Sequence, residues 1–221
     1  MDFPVQGCGD PVVWNGKEKP KVIEEKVRSY LGLNHRLVGI KISEENLDGD
    51  HLAVPTTFCR AVREALRGKE LVIGIDDLSC PNAELCLGFR EPMFVDVGPR
   101  IGSKIKMVRI GPLEDADVVL FVLNSEQVMI MSILLGGIKA EFKGEMAICG
   151  EAVAKVYNEG EPNVSFLCSG ARELGGFETP EVVLSLPYAL FLELPDRMTK
   201  FASLSRSGRG HVSASALDDH K

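Results

Sequence analysis

Six cysteines are the side chains of this 221-residue chain best suited to do chemistry. A thiolate is both a soft metal ligand and a nucleophile, and its surroundings decide which role it takes. Cys8 lies in Gly7-Cys8-Gly9, Cys59 sits early in a helical pattern, and Cys80 and Cys86 lie around Pro81. Cys149 falls in Ile148-Cys149-Gly150, and Cys168 ends an apolar run before Ser169-Gly170-Ala171-Arg172. No pair has the Cys-x-x-Cys spacing of zinc ribbons or thioredoxins, so spacing alone defines no metal motif. An iron–sulfur cluster, however, accepts thiolates from remote parts of a chain. Cys59, Cys80 and Cys86 fall near helix starts or on loops, and with Cys168 they form the candidate ligand set for a cluster or metal. The competing reading treats a cysteine as a small buried hydrophobe, and Cys149 among its apolar neighbours fits that best.

Cys168 has a second reading as a reactive thiol beside Arg172, at the carboxyl edge of a sheet where ligands bind. It is not a phosphatase loop of the Cys-x5-Arg kind, because the spacing here is Cys-x3-Arg and Leu174 stands where that arginine would fall. The glycine-rich stretch Gly98 to Lys104 is no phosphate loop either: it is one residue short, and Ser103 precedes Lys104. It can still serve as a basic flap. Arg60, Arg100, Lys104 and Arg172 are therefore the candidate cations for an anionic small molecule such as a nucleotide, pterin or phosphate. Acid–base candidates are few. His35 and His51 read as solvated, His211 and His220 fall in the last residues, and Asp76-Asp77 reads more as a turn into a helix than as a metal pair.

The elements that must position these groups follow from hydropathy. An amphipathic helix is expected from Lys21 to Leu33, a strand from Arg36 to Ile42, and a helix capped by Thr56 or Thr57 that ends before Gly68. Glu70 to Ile75 reads as a strand, with a helix opening at Ser79-Cys80-Pro81. Gly88 to Gly102 reads as a long loop and Lys104 to Ile110 as a strand. Asp117 to Leu123 is a continuous apolar run of the kind found in a central strand. Ser125 caps a helix apolar all round, which belongs inside the fold or in a subunit interface. A strand at Ile138–Phe142, a helix from about Met146 to Tyr157 and a strand from Asn163 to Cys168 come next. Thr179-Pro180-Glu181 reads as opening a short helix, and Phe191 to Leu194 as a last strand. No internal repeat is evident.

Strands and helices alternate, so the expected fold is a single α/β domain whose sheet is mixed or mostly parallel, with helices packed against it. It spans residues 21–204, after an irregular segment 1–20 and before a tail, 205–221, expected to be mobile. Hydrophobic residues make up 45% of the chain and charged residues 26%, ordinary for a globular protein. The net charge of -7 argues against a nucleic-acid binder. No apolar run is long enough to span a bilayer, and no export signal precedes the cysteines, so a cytoplasmic thiol protein is expected. The apolar helix makes a homo-oligomer the expected assembly.

Several motifs together resemble a known family. These are Phe58-Cys59-Arg60-Ala61-Val62-Arg63-Glu64-Ala65, Ser79-Cys80-Pro81-Asn82-Ala83-Glu84, and Asp117-Val118-Val119-Leu120 followed by Ser125-Glu126-Gln127-Val128-Met129. Asn163-Val164-Ser165, Cys168-Ser169-Gly170-Ala171-Arg172 and Leu186-Pro187-Tyr188 complete the set. In order and spacing, over about residues 20 to 195, the chain resembles the uncharacterised ArCR family of archaea and anaerobic bacteria. The resemblance implies a distribution suited to oxygen-sensitive chemistry and directs attention to Cys59, Cys80 and Cys168. It implies no activity. Two functional readings stand open: a cysteine-centred site for an iron–sulfur cluster or metal in a redox or cofactor-related role, and an anion-binding protein or enzyme. Neither fixes a reaction.

Overall fold

The computed structural model describes residues 18–51, 54–91, 100–102, 104–138 and 149–206. The first helix, α1 (Pro20–Leu31), opens on a proline and buries Ile23, Val27 and Leu31, one turn apart. Gly32 ends it in the left-handed region at φ 66°, with its N–H on the Arg28 carbonyl. The chain then runs through β1 (Val38–Ser43), α2 (Phe58–Leu66), β2 (Leu71–Ile73), α3 (Pro81–Cys86) and β3 (Met107–Gly111). It continues through β4 (Val118–Leu123), α4 (Ser125–Leu135), α5 (Cys149–Glu159), β5 (Asn163–Ser165), α6 (Ser169–Glu173), β6 (Val182–Pro187), α7 (Tyr188–Leu192) and α8 (Leu194–Arg206).

The strands form one six-stranded sheet in the order β2-β3-β1-β4-β6-β5. Every pairing in it is antiparallel. This corrects the expectation of a mixed or mostly parallel sheet, and the architecture is α+β. The reason lies in the connections. β1 and β2 do run in the same direction across helix α2, as a crossover would have them, but they leave a gap that β3 fills in the opposite sense. β4 and β5 leave the same gap, and β6 fills it. Alternation of helix and strand is common to both arrangements, so it cannot tell a split crossover from a parallel one.

A core covers each face of the sheet. Val118, Leu120 and Val122 of β4 point to one core, with α2, α3, α5 and α6; Val119, Phe121 and Leu123 point to the other, with α1, α4, α7 and α8. All six residues of β4 are buried, as a central strand requires. Burying such a side chain contributes about 2 kcal/mol, so the two-sided strand anchors both layers.

The two halves of the sheet repeat one another, which overturns the reading that the chain has no internal repeat. β1 and β4 pair about the facing residues Gly39 and Val119. Rotating the sheet by half a turn about that point carries β1 onto β4, β3 onto β6 and β2 onto β5. The register survives the rotation: Leu71 faces Ile110, which faces Ile40, while Asn163 faces Ser185, which faces Leu120. The sequence carries a trace of the same symmetry, since Cys80, Ala83, Gly88 and Phe89 have the spacing of Cys168, Ala171, Gly176 and Phe177. Both glycines hold left-handed backbone, with φ at 79° and 71°.

Other expectations shift locally. Asn124, not Ser125, caps α4 through the Gln127 amide, and Cys80, not Ser79, stands at the cap position of α3. The segment after Thr179-Pro180-Glu181 is strand β6 and not a helix, because its apolar run pairs with both β4 and β5. Phe191 to Leu194 lies in helices α7 and α8 and not in a strand. α4 buries Met131 and Leu134 but leaves Met129 at 51% and Ile133 at 43% exposure. The expected strand at Ile138–Phe142, most of the Gly88–Gly102 loop, Cys8 and both termini beyond residues 18 and 206 lie outside the described residues.

Two outcomes test this packing. A Cβ on Gly39 would stand 1.8 Å from the Pro112 carbonyl oxygen, where the turn after β3 crosses β1. Gly39→Ala is therefore expected to cost about 3 kcal/mol in urea unfolding, at the upper end of overpacking effects. Burial, then the negative charges of Glu114 and Asp115, push the Tyr188 hydroxyl up to about 12. The unfolded tyrosine ionises first, near its ordinary value of 10.0, so stability holds below that value and is lost as pH rises towards about 12. Tyr188→Phe is expected to remove that alkaline loss. It should cost little at neutral pH, because the buried hydroxyl has no hydrogen-bond partner among the described residues.

Candidate functional site

Four cysteines stand at the amino ends of four helices on one face of the sheet. Cys59 is the second residue of α2 and Cys149 the first of α5; Cys80 and Cys168 immediately precede α3 and α6. The pseudo-symmetry relates them in pairs. α2 and α5 follow the two central strands, so Cys59 corresponds to Cys149; α3 and α6 follow the two outer strands, so Cys80 corresponds to Cys168. The helix dipole at the starts of α2 and α5 favours negative charge on any thiol held there.

Cys59 and Cys149 meet near the axis. The Cys149 S–H donates to the Cys59 sulfur, which also accepts from the Cys149 and Cys59 backbone amides, and these bonds hold the Cys59 thiol below its ordinary value despite burial. Cys149 shows the reverse. Its proton is engaged by Cys59, it is fully buried, and it faces the charges of Cys59 and Cys168, so its thiol is raised well above the ordinary value. Cys59 is thus the more acidic member of the pair. Cys80 is raised chiefly by burial; the Ala83 and Asn82 amides act against that, and negative charge on Cys59 or Cys168 adds to it. Cys80 and Cys149 thus each lie within electrostatic reach of Cys59 and Cys168. Cys59 and Cys149 are buried, while Cys80 and Cys168 remain half-exposed and give the group a mouth.

Small residues and two arginines hold the helices this close. A Cβ on Gly175 would lie 3.1 Å from the Cys59 Cβ and 2.5 Å from the Ala171 carbonyl, so only glycine lets the turn after α6 press on α2. Arg63 of α2 donates to Glu181 Oε1 at 2.9 Å and lies 5.2 Å from the ring centre of Phe177, tying the first half to the second. Arg172 donates to the carbonyls of Phe166 at 2.9 Å, Glu181 at 3.3 Å and Glu178. Its guanidinium is the clamp that closes the loop following Cys168.

The remaining candidates are dispersed. Cys86 ends α3, where the helix dipole disfavours a thiolate, and its Cβ packs 3.4 Å from the position of a Cβ on Gly150. Its symmetry counterpart is Leu174. Arg60 is exposed on the first turn of α2 and Lys104 is exposed on a turn. Arg100 pairs with Glu91 at 2.9 Å, and its carbonyl takes the Asn158 amide at 2.7 Å, at the end of α5 opposite Cys149. Asp77 accepts the Gly74 N–H at 2.7 Å and meets His51 at 3.2 Å, as a turn residue. Among the described residues, no three His, Cys, Asp or Glu side chains are gathered closely enough to hold a single metal ion. Cys149 is the member that hydropathy assigns to the core; only the repeated Cys-x2-Ala-x4-Gly-Phe spacing, which reveals the two halves, could have pointed to it.

These features define an antiparallel α+β protein built on two related halves, with a thiol group at the junction of its helix starts. The chain belongs to the uncharacterised ArCR family, whose profile matches residues 26–98 and 92–197. It is similar to an uncharacterized protein of Methanocaldococcus jannaschii, 23% identical across 83% of this chain and 95% of that protein. No solved structure matches it. Among the described residues no helix is long and apolar enough to cross a membrane.

The bond between the two central thiols has a measurable sign. Replacing Cys149 with alanine removes the S–H donated to Cys59, so the Cys59 thiol is expected to titrate at higher pH than in the native chain. The pH dependence of the Cys59 Cβ chemical shift in isotope-labelled protein reads this directly; an unchanged or lowered midpoint would contradict the arrangement.

Proposed function

We propose that the four symmetry-paired cysteines are the working site of this protein and that they hold an iron–sulfur cluster in a redox or cofactor-related role. The observation that supports this is their recurrence: both halves keep a cysteine at the same two helix starts, while Cys86 corresponds to leucine in the other half. Core filling asks only for a small apolar group and does not require sulfur twice at two positions. The ligand set argued from the sequence accordingly changes by one member, Cys149 in place of Cys86, with Cys59, Cys80 and Cys168 retained.

A cluster suits the spacing better than a single ion. Ligands of one ion crowd round a common centre, whereas the thiolates of a cluster are shared among two or four irons and the set of sulfurs spreads farther apart. Four thiolates disposed about a two-fold axis match the symmetry of such a cluster. Amides at the starts of α2 and α5 would offset its negative charge, and the half-exposed Cys80 and Cys168 leave a route for assembly. The anion-binding reading has less behind it, because Arg172 is spent on backbone carbonyls and Arg100 on Glu91.

One observation favours a second reading. The S–H···S bond between Cys59 and Cys149 suits a dithiol that a small-molecule disulfide could oxidise by two successive thiol exchanges, joining the two sulfurs and releasing the oxidant as free thiols. Purification without oxygen separates the two. The cluster reading expects brown protein with iron, acid-labile sulfide and broad visible absorbance, lost in Cys80→Ser and Cys168→Ser and kept in Cys86→Ser. Colourless, iron-free protein that resists reconstitution would sink it; a Cys59–Cys149 disulfide formed in that protein would favour the dithiol.

A further inference from the structure

We infer that the cavity at the far end of α2 from the cysteines is a binding site for a small zwitterion of the α-amino acid type. The cavity has a volume of about 110 Å³ and lies where the start of α1, the approach to β1, the end of α2 and the turn after β3 meet. This inference is independent of the cysteine reading, since Cys59 begins α2 while Ala65 and Gly68 at its other end line the cavity.

The charges here are complementary and held apart. Glu24 lines the cavity although only 5% of it is exposed, and its Oε1 accepts the Leu37 N–H at 2.9 Å. A buried carboxylate is costly unless a cation accompanies it. Among the described residues none closes on Glu24 to ion-pair distance, although Lys21 and Arg36 line the same cavity. Neither of these cations has a carboxylate partner among the described residues; Lys69, also at the wall, is taken up by Glu64 at 2.6 Å. Opposite charges that share a small cavity without collapsing together leave room for a ligand carrying both signs. An ammonium would meet Glu24 and a carboxylate would meet Arg36 and Lys21.

Size and floor narrow the class. Leu37, Ala65 and Leu113 are buried and supply a small apolar surface, while Lys21, Arg36, Glu70 and Glu114, all exposed, stand at the rim. A volume of about 110 Å³ matches a short side chain such as that of alanine better than an aromatic one.

Thermal unfolding of the full chain with defined probes tests the inference. Saturating L-alanine or glycine is expected to raise Tm by about 2–4 °C. Propionate and ethylamine, which each carry one half of the zwitterion, and L-phenylalanine should do much less at equal concentration. Arg36→Gln, a position outside the core, should weaken alanine binding about tenfold or more, and Glu24→Gln should do the same. If Glu24→Gln fails to fold, Arg36→Gln decides alone. Stabilisation by propionate or phosphate equal to that by alanine would overturn the zwitterion in favour of a simple anion site. The absence of any shift with alanine and glycine, or a shift unchanged in Arg36→Gln, would overturn the site altogether.

Discussion

The antiparallel pairing of β1 with β4 about Gly39 and Val119 is the contact on which the remaining architecture depends. It sits at the middle of the sheet, joins the two halves edge to edge, and fixes where the rotation axis passes. Once that register is set, the two split crossovers place α2, α3, α5 and α6 on one face, and their amino ends come together although the cysteines lie far apart in sequence. Gly39 is the residue that the register tolerates least changing, because the turn at Pro112 crosses directly over it. Its counterpart Val119, paired with it on the same side of the sheet, carries a full side chain into the core around Phe121.

The two faces of the sheet have divided their tasks. On one, paired helices carry thiols at their starts and are drawn close by Gly150, Gly175 and the Arg63 bridge. On the other, α1, α4, α7 and α8 have no counterparts in the repeat and serve to close the second core around Phe121 and Phe191, whose rings meet edge to face at 6.5 Å. The zwitterion cavity arises where α1 is laid over the first half, so it breaks the symmetry that the thiols obey.

Much of this is legible in the chain, and the failures have physical causes. Pro20, Thr57 and Pro81 announce helix starts because cap and first-turn positions impose specific backbone demands. The unbroken apolar run of β4 announces a two-sided strand. Strand direction is not written in hydropathy, however, and a strand inserted between parallel neighbours looks in sequence like one added at an edge. β6 is obscured by Thr179-Pro180-Glu181, a tripeptide that opens helices when the next segment finds no strand to pair with; here β4 and β5 flank that segment on both sides. The repeat stays hidden because its halves share register far more than residues. Cys149 reads as core because its neighbours are apolar, and the bond to Cys59, with burial second, is what raises its thiol.

The rotation that relates the two halves carries an evolutionary consequence. Two identical short chains, each folded as strand-helix-strand-helix-strand and paired through their first strands, would already assemble this six-stranded sheet and this ring of helix starts. Such an ancestral homodimer would need only two cysteine codons to present four thiols, one pair meeting at the subunit boundary. Fusion into one polypeptide frees each copy to diverge. The mismatch of sulfur and leucine at Cys86 and Leu174, with sulfur kept at both other pairs, is the pattern that such freedom leaves behind.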